Sequence, residues 1–141
     1  MNPKYAKAYN NRANTKSDLG QKDQAIEDFN KAIELNPECA EAYINRADEK
    51  SHLGQNESAI EDCNKAIELD PENALAYFNR GNAELGLNQN ELAIANYDKA
   101  IELDPNLAEA YYNRGTAKSK LGLKESAEED HRKGIELGFT V

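Results

Sequence analysis

The sequence predicts an all-α fold made of four successive helical hairpins, and three observations support this prediction. The segment from Lys31 to Pro37 returns almost unchanged at 65–71 and 99–105, so its proline recurs every 34 residues. Apolar and small residues between these segments recur at helical spacing. Glycine, asparagine and proline stand where each helix would end. A period of this length indicates stacked repeats rather than a globule.

The first hairpin shows how each repeat is built. Apolar and small residues at helical spacing predict a first helix from Ala6 to Leu19, and Gly20 suits its C-terminal end. A second apolar pattern predicts a helix from about Asp23 to Leu35, which Pro37 would end. Asn2 and Pro3 resemble the end of a preceding repeat, which is compatible with an excised or engineered segment.

The later hairpins repeat this pattern with small changes. Gly54 and Gly122 occupy the turn between the two helices, and the third hairpin has Asn88 there, a residue that tolerates positive φ. The fourth hairpin has Glu128 and His131 where the others have isoleucine and an aromatic residue or cysteine. Polar substitutions on a face without a following repeat are typical of a terminal repeat.

Composition excludes several classes of protein. The 141 residues carry a formal net charge of −9, which disfavours non-specific binding to nucleic acid or to an anionic membrane. No apolar run approaches the roughly 20 residues of a membrane helix, and no leader segment opens the chain. Two cysteines without CxxC spacing predict reduced thiols. We therefore expect a cytoplasmic protein without nucleic-acid or membrane partners.

The repeated residues resemble the tetratricopeptide repeat (TPR) family along essentially the whole chain. In the second repeat the resemblance rests on Tyr43, Ala47, Gly54, Ala59 and Pro71, which stand at the spacing of the 34-residue family pattern. The resemblance implies a single domain over residues 1–141, with repeats at approximately 4–37, 38–71, 72–105 and 106–139. It also implies a right-handed α-solenoid of about eight helices.

One departure from the family pattern suggests an arginine contact between the two helices of each hairpin. Arginine occupies a position where the family usually has leucine, and an aspartate or asparagine follows sixteen residues later. This constant offset predicts one pair between the two helices of each hairpin: Arg12 with Asp28, Arg46 with Asp62, Arg80 with Asn96, and Arg114 with Asp130. The alternative is that these charges are solvated on an outer face.

The resemblance also suggests where a ligand would bind. In the family the first helices line a concave groove, and four identical asparagines would form a ladder along it. We call this set the asparagine column: Asn11, Asn45, Asn79 and Asn113. An amide both donates and accepts hydrogen bonds, so the column could hold the backbone of an extended peptide. It resembles the ladder in the repeat domain of the glycosyltransferases that modify Ser/Thr on intracellular proteins.

Six further residues belong to the predicted peptide-binding face. The polar members are Asn14, Asp48 and Asn82, and the apolar members, which could anchor a ligand, are Ile44, Phe78 and Tyr112. Alternatively, the asparagines bond to neighbouring repeats and only stiffen the array. The clamp that TPR domains use for chaperone C-termini is not expected, because Asn10, Leu75 and Asn79 replace its three cations.

No pattern in the chain indicates catalysis or a cofactor. His52 and His131 lie in different repeats, and no nucleophile–base pair, phosphate-binding glycine loop or metal-ligand spacing is present. The sequence predicts a non-enzymatic scaffold that binds a protein or peptide. Two alternatives stay open: a structural or engineered array that self-associates through its ends without a dedicated ligand, and an accessory segment of a larger enzyme.

Overall fold

The computed structural model describes residues 2–141, and over that range the chain forms eight α-helices and no β-strand. The predicted all-α class is confirmed. The helices are α1 (Pro3–Asp18), α2 (Lys22–Leu35), α3 (Ala40–His52), α4 (Asn56–Leu69), α5 (Ala74–Gly86), α6 (Asn90–Leu103), α7 (Ala108–Lys120) and α8 (Lys124–Glu136).

The chain divides into two compact units, Met1–Pro71 and Glu72–Val141. In the first unit α1 packs against α2 and α3 against α4, while α2 also packs against α3. The second unit repeats this arrangement, with hairpins α5–α6 and α7–α8 joined by contacts between α6 and α7. The boundary between the units coincides with the predicted boundary between the second and third repeats.

The turns inside the hairpins confirm the residues that the sequence singled out. Gly54 has a φ of 77°, a left-handed conformation that glycine adopts without steric cost. Asn88 takes the same place in the third hairpin with a φ of 59°, the one positive-φ residue other than glycine within residues 2–141. Asparagine tolerates this conformation better than most other residues because its short polar side chain can form a local hydrogen bond.

The first helix begins earlier than the sequence predicted. Pro3 occupies the first helical position, where a missing N–H breaks no helical hydrogen bond, and the Asn2 side chain accepts a hydrogen bond from the Lys4 backbone at 3.0 Å. Residues interpreted as the end of a preceding repeat therefore start α1. The prediction began at Ala6 because it relied on the spacing of apolar residues, which does not detect a polar first turn.

Close packing within the hairpins depends on small residues facing larger ones sixteen positions later. Ala13 packs with Ala25 and Phe29 in a buried cluster. In the second unit, a Cβ at Gly81 would lie 2.9 Å from Cε1 of Tyr97, and one at Gly115 would lie 2.6 Å from Cδ2 of His131. The third and fourth hairpins, which carry the Tyr97 and His131 rings, therefore have glycine at the position where the first and second hairpins have alanine.

All four predicted pairs between arginine and the residue sixteen positions later are confirmed. Arg46 donates from Nε and Nη2 to both Asp62 oxygens at 2.8 and 2.6 Å, and Arg12 and Arg114 bind Asp28 and Asp130 in the same two-pronged way. Each guanidinium also lies 5.1–5.6 Å from the ring centre of the tyrosine three residues before it. The planar, bidentate contacts between guanidinium and carboxylate hold the two helices in one register.

A lysine one turn after the arginine completes each of three of these sites, and the sequence pattern did not predict its role. Lys16, Lys50 and Lys118 lie 2.8–2.9 Å from the same buried aspartates. Burial raises the pKa of Asp130, but hydrogen bonds from Arg114 and Lys118 outweigh it and hold that pKa below its usual value. Each of these three aspartates is therefore shared between an arginine and a lysine.

The third hairpin exchanges both the acid and the lysine. Arg80 donates to the Asn96 amide oxygen at 2.9 Å, and the Asn96 nitrogen donates to Glu84 at 2.6 Å. Glu84 stands where the other hairpins have lysine. Burial raises the pKa of Glu84, although the hydrogen bond from Asn96 lowers it. The Asn96 amide can accept a hydrogen bond from the arginine and donate one to the carboxylate. The residue at this position therefore contacts the same two positions of the first helix as the aspartates of the other hairpins do.

The exchange in the third hairpin predicts strong coupling between its two positions. Asn96→Asp alone places a second carboxylate against buried Glu84, and we expect a loss of about 1–3 kcal/mol in the free energy of unfolding. Adding Glu84→Lys recreates the arrangement of the other hairpins and should recover most of that loss. Urea denaturation of both single variants and the double variant measures the coupling; additive effects would refute it.

The contact between Gly81 and Tyr97 gives a second prediction. Alanine is a better helix former than glycine by about 1 kcal/mol, but its Cβ would strike the buried ring, which costs about 1–3 kcal/mol. We expect Gly81→Ala to destabilise the protein in thermal and urea unfolding. Gly86→Ala, on the exposed side of the same helix, is the matched control and should be neutral or stabilising. Equal effects of the two substitutions would contradict the steric account.

Candidate functional site

In the first unit the asparagine column contributes one exposed and one bonded amide. Asn11 is exposed on α1. Asn45 on α3 is half-buried and donates from Nδ2 to the side-chain oxygen of Asn10 at 3.4 Å. This contact joins α1 to α3, the first helices of two successive repeats. The Asn45 oxygen and the second Nδ2 hydrogen are not used in this hydrogen bond.

In the second unit three side chains form a network around Asn82. The Asn82 oxygen accepts hydrogen bonds from the Tyr97 hydroxyl at 2.7 Å and from Nδ2 of Asn113 at 2.9 Å. Two donors on one oxygen fix which end of the Asn82 amide faces them. The amide nitrogen of Asn82 is therefore on the opposite side, away from Tyr97 and Asn113. Asn79, the third member of the column, is buried.

The environment of Tyr97 keeps its hydroxyl a donor. Tyr97 is fully buried, and burial raises the pKa of its hydroxyl far above the ordinary value. The nearby charge of Glu84 raises the pKa further, while a hydrogen bond with Asn113 lowers it. The hydroxyl therefore stays protonated at neutral pH, so its bond to Asn82 persists.

The three predicted apolar anchors are buried or half-buried. Ile44 and Phe78 are buried. Tyr112 is half-buried, with ring centres of His131 and Phe139 at 4.5 and 4.2 Å. Phe139, which takes the place of the repeated proline, thus covers one side of Tyr112. Contact between these residues and a ligand stays a prediction, and it would require side-chain movement.

The remaining polar members differ in accessibility. Asn14 is half-buried on α1, and the Asp48 side chain is 46% exposed on α3. The ring of His52 lies beside Asp48, with Nδ1 at 2.8 Å from the backbone oxygen and 3.6 Å from the carboxylate. Asp48 therefore gives this part of the first unit an acidic character.

A buried acid in the first unit was not predicted from the sequence. Glu49 is 3% exposed, accepts a hydrogen bond from Ser17, and has Oε2 at 3.8 Å from the Lys22 ammonium. It connects α3 to α1 and α2. The sequence held one signal, because Ala83 and Ala117 stand at the equivalent places and a lone acid in a column of small residues requires a partner.

The structure also locates the residues that could carry other chemistry. Cys63 is buried and Cys39 half-buried, both as free thiols. In the described part of the chain no cluster of three or more His, Cys, Asp or Glu side chains could hold a metal ion. None of the helices within residues 2–141 is long and apolar enough to cross a membrane.

Comparisons with protein families match the repeats found in the sequence. A family model described as TPR repeat matches residues 52–88 and 81–122, and models described as tetratricopeptide repeat match residues 6–39 and 108–137. A search of curated proteins found no match.

Solved structures give the same result. MamA is 27% identical with a TM-score of 0.83, over 96% of this chain and 80% of that chain. The first TPR domain of human RPAP3 is 30% identical with a TM-score of 0.83, over 88% of this chain and 98% of that chain. The thermophilic TPR protein TTC0263 from Thermus thermophilus, at 22% identity, shares the fold with a TM-score of 0.88 over 94% of this chain and 74% of that chain.

Repeated helical hairpins and these structural neighbours define the class as an α-solenoid repeat protein. The chain belongs to the tetratricopeptide repeat family. One neighbour shows a ligand: the first TPR of Spaghetti (RPAP3), 28% identical over 86% of this chain and 97% of that chain with a TM-score of 0.82, is bound to the HSP90 peptide SRMEEVD.

The network around Asn82 predicts a specific effect of removing one hydroxyl. Tyr97→Phe leaves the ring in place but deletes one of two donors to Asn82, so we expect a loss of about 0.5–1.5 kcal/mol in stability. The side-chain amide resonances of Asn82 and Asn113 should shift in ¹⁵N NMR spectra. Tyr5→Phe, at an exposed position, is the control. Unchanged Asn82 and Asn113 amide signals would show that Tyr97 does not orient this network.

Proposed function

We propose that the protein is a non-catalytic interaction module that binds an extended peptide through the asparagine-bearing faces of its first helices. The observation that carries this proposal is the oriented pair Asn82 and Asn113, whose mutual hydrogen bond leaves an amide nitrogen on one and an amide oxygen on the other. A peptide backbone offers the complementary C=O and N–H groups at every residue. Hydrogen bonds of this kind are made to the ligand backbone and do not require one particular ligand sequence.

The first unit supports the same function with a less constrained amide. Asn11 is exposed, and a ligand can bind its side chain without breaking a contact inside the unit. Asn45 keeps its oxygen and one hydrogen outside its bond to Asn10. Since the hydrogen bonds between asparagines use only part of their capacity, stiffening the array and binding a backbone are compatible roles.

The charges near these amides indicate which peptides would bind. Asn10, Leu75 and Asn79 stand where a carboxylate clamp needs cations, and Asp48 adds an exposed negative charge. A buried Asn10 offers no positive charge to a chain terminus. We therefore propose a neutral or basic extended segment as ligand, unlike the acidic HSP90 peptide bound by the RPAP3 domain.

Selection from a random peptide library displayed on phage, followed by calorimetric titration of the selected peptides, tests this function. We expect Asn11→Ala and Asn113→Ala each to weaken binding about 3- to 10-fold, as loss of one net hydrogen bond of roughly 1 kcal/mol implies. Alanine replacements along a selected peptide should matter less than N-methylation of its backbone.

Matched controls separate binding from folding. Gln24→Ala changes an exposed amide on α2 and should leave peptide affinity unchanged, and circular dichroism should be the same for all variants. The SRMEEVD peptide should not bind detectably. Selected peptides that bind Asn11→Ala and Asn113→Ala with unchanged affinity would contradict the proposed site.

A further inference from the structure

The outer face of α1 is built like the helix faces that other helices cover inside each unit. On α3 and α7 the equivalent face contains the alanines Ala42 and Ala110, both with no exposed surface, and it is covered by α2 and α6, respectively. On α1 the same place holds Ala8, which is exposed. Ala8 is thus exposed on α1 at the place where a neighbouring helix covers the equivalent alanines of α3 and α7.

The arginine side chains show most clearly how the α1 face differs from the covered faces of α3 and α7. Besides their aspartates, Arg46 and Arg114 each donate from Nη1 to the covering helix, to Asn30 and Asp98 at 2.8 Å. These arginine side chains are 16% and 17% exposed. Arg12 is 58% exposed, and its Nη1 has no hydrogen-bond partner among residues 2–141.

The surface around Arg12 is apolar and basic. Open cavities of about 240 and 290 Å³ adjoin it, the first lined by Tyr5, Ala8, Tyr9 and Arg12 and the second by Tyr5, Tyr9, Lys31 and Leu35. Tyr5 is 61% exposed. An occupant therefore gains by offering apolar side chains together with a negative or amide group.

We propose that the outer face of α1, comprising Tyr5, Ala8, Tyr9 and Arg12, docks an amphipathic helix from outside residues 2–141 that carries an acidic residue opposite Arg12. Helix α6 supplies the template, because its Asp98 binds Arg114 and its Ile94 and Ile101 pack against the cluster that contains Ala110. The docked helix should therefore have β-branched apolar residues four positions before and three after its acid.

A second copy of this chain does not fit the same surface. If α8 took the covering position, Arg132 would stand where Asn30 and Asp98 stand in α2 and α6, opposite Arg12. Glu128 would replace the apolar residue one turn earlier. Like charges and a buried acid both disfavour that contact, so the occupant is a different helix. This docking surface is independent of the proposed peptide-binding face.

A peptide copy of α6 is the probe. Residues 90–103, held helical by a hydrocarbon staple between positions 91 and 95 on the exposed side and labelled with fluorescein, are titrated with the full chain in fluorescence anisotropy. We expect saturable binding that an Asp98→Arg change in the peptide weakens about 10-fold or more, the loss that replacing a charge pair by like charges implies. Amide shifts in the ¹⁵N spectrum should centre on Ala8 and Arg12.

Two variants of the chain decide where the probe binds. Ala8→Arg places a bulky cation on the exposed α1 face and should abolish binding, whereas Ala95→Arg, the same change at an exposed alanine on α6, should leave it intact. The proposal is overturned if the probe fails to bind, if Ala8→Arg has no effect, or if the Asp98→Arg peptide binds equally well. Light scattering that shows a dimer dissociated by Ala8→Arg would also overturn it.

Discussion

The contact between an arginine on the first helix and an acid or amide sixteen residues later is the constraint on which the hairpins depend. Asp28, Asp62 and Asp130 are all buried, so each needs its cations to be stable there. Removing one partner of such a pair is far more costly than the pair is stabilising, because an uncompensated charge stays behind. The pair therefore specifies a helix register more than it adds stability.

The same register determines the close contacts beside it. Gly81 faces Tyr97 and Gly115 faces His131 at the offset that joins arginine to its acid. Because Gly81 has no Cβ, the Tyr97 ring fits closely against it, and the Tyr97 hydroxyl reaches Asn82 on the first helix of the hairpin. The orientation of an amide on the proposed peptide-binding face thus follows from a packing choice in the interior of the hairpin.

The Nη1 side of three of these arginines faces away from the hairpin partner, and its surroundings differ between them. It binds α2 or α6 for Arg46 and Arg114, and it is exposed for Arg12. Two kinds of surface result from one repeated unit. The asparagine-bearing faces offer amides suited to an extended backbone, while the outer face of α1 offers an apolar, basic surface suited to a helix.

The sequence by itself determined the hairpins, their turns and the arginine pairs, because these depend on contacts at fixed short offsets that recur in every repeat. Gly54, Asn88 and the pairing of Arg80 with Asn96 could all be predicted from position alone. Only the tertiary structure decided the role of Lys50 as a second cation, the burial of Glu49 and the orientation of Asn82. Those depend on which side chains meet across helices and on how much water reaches them, and a repeat pattern does not specify either. For the same reason the asparagine column could be recognised in the sequence as the same residue at one position of every repeat. The hydrogen-bond partners of Asn45 and Asn113 could be identified only from the tertiary structure.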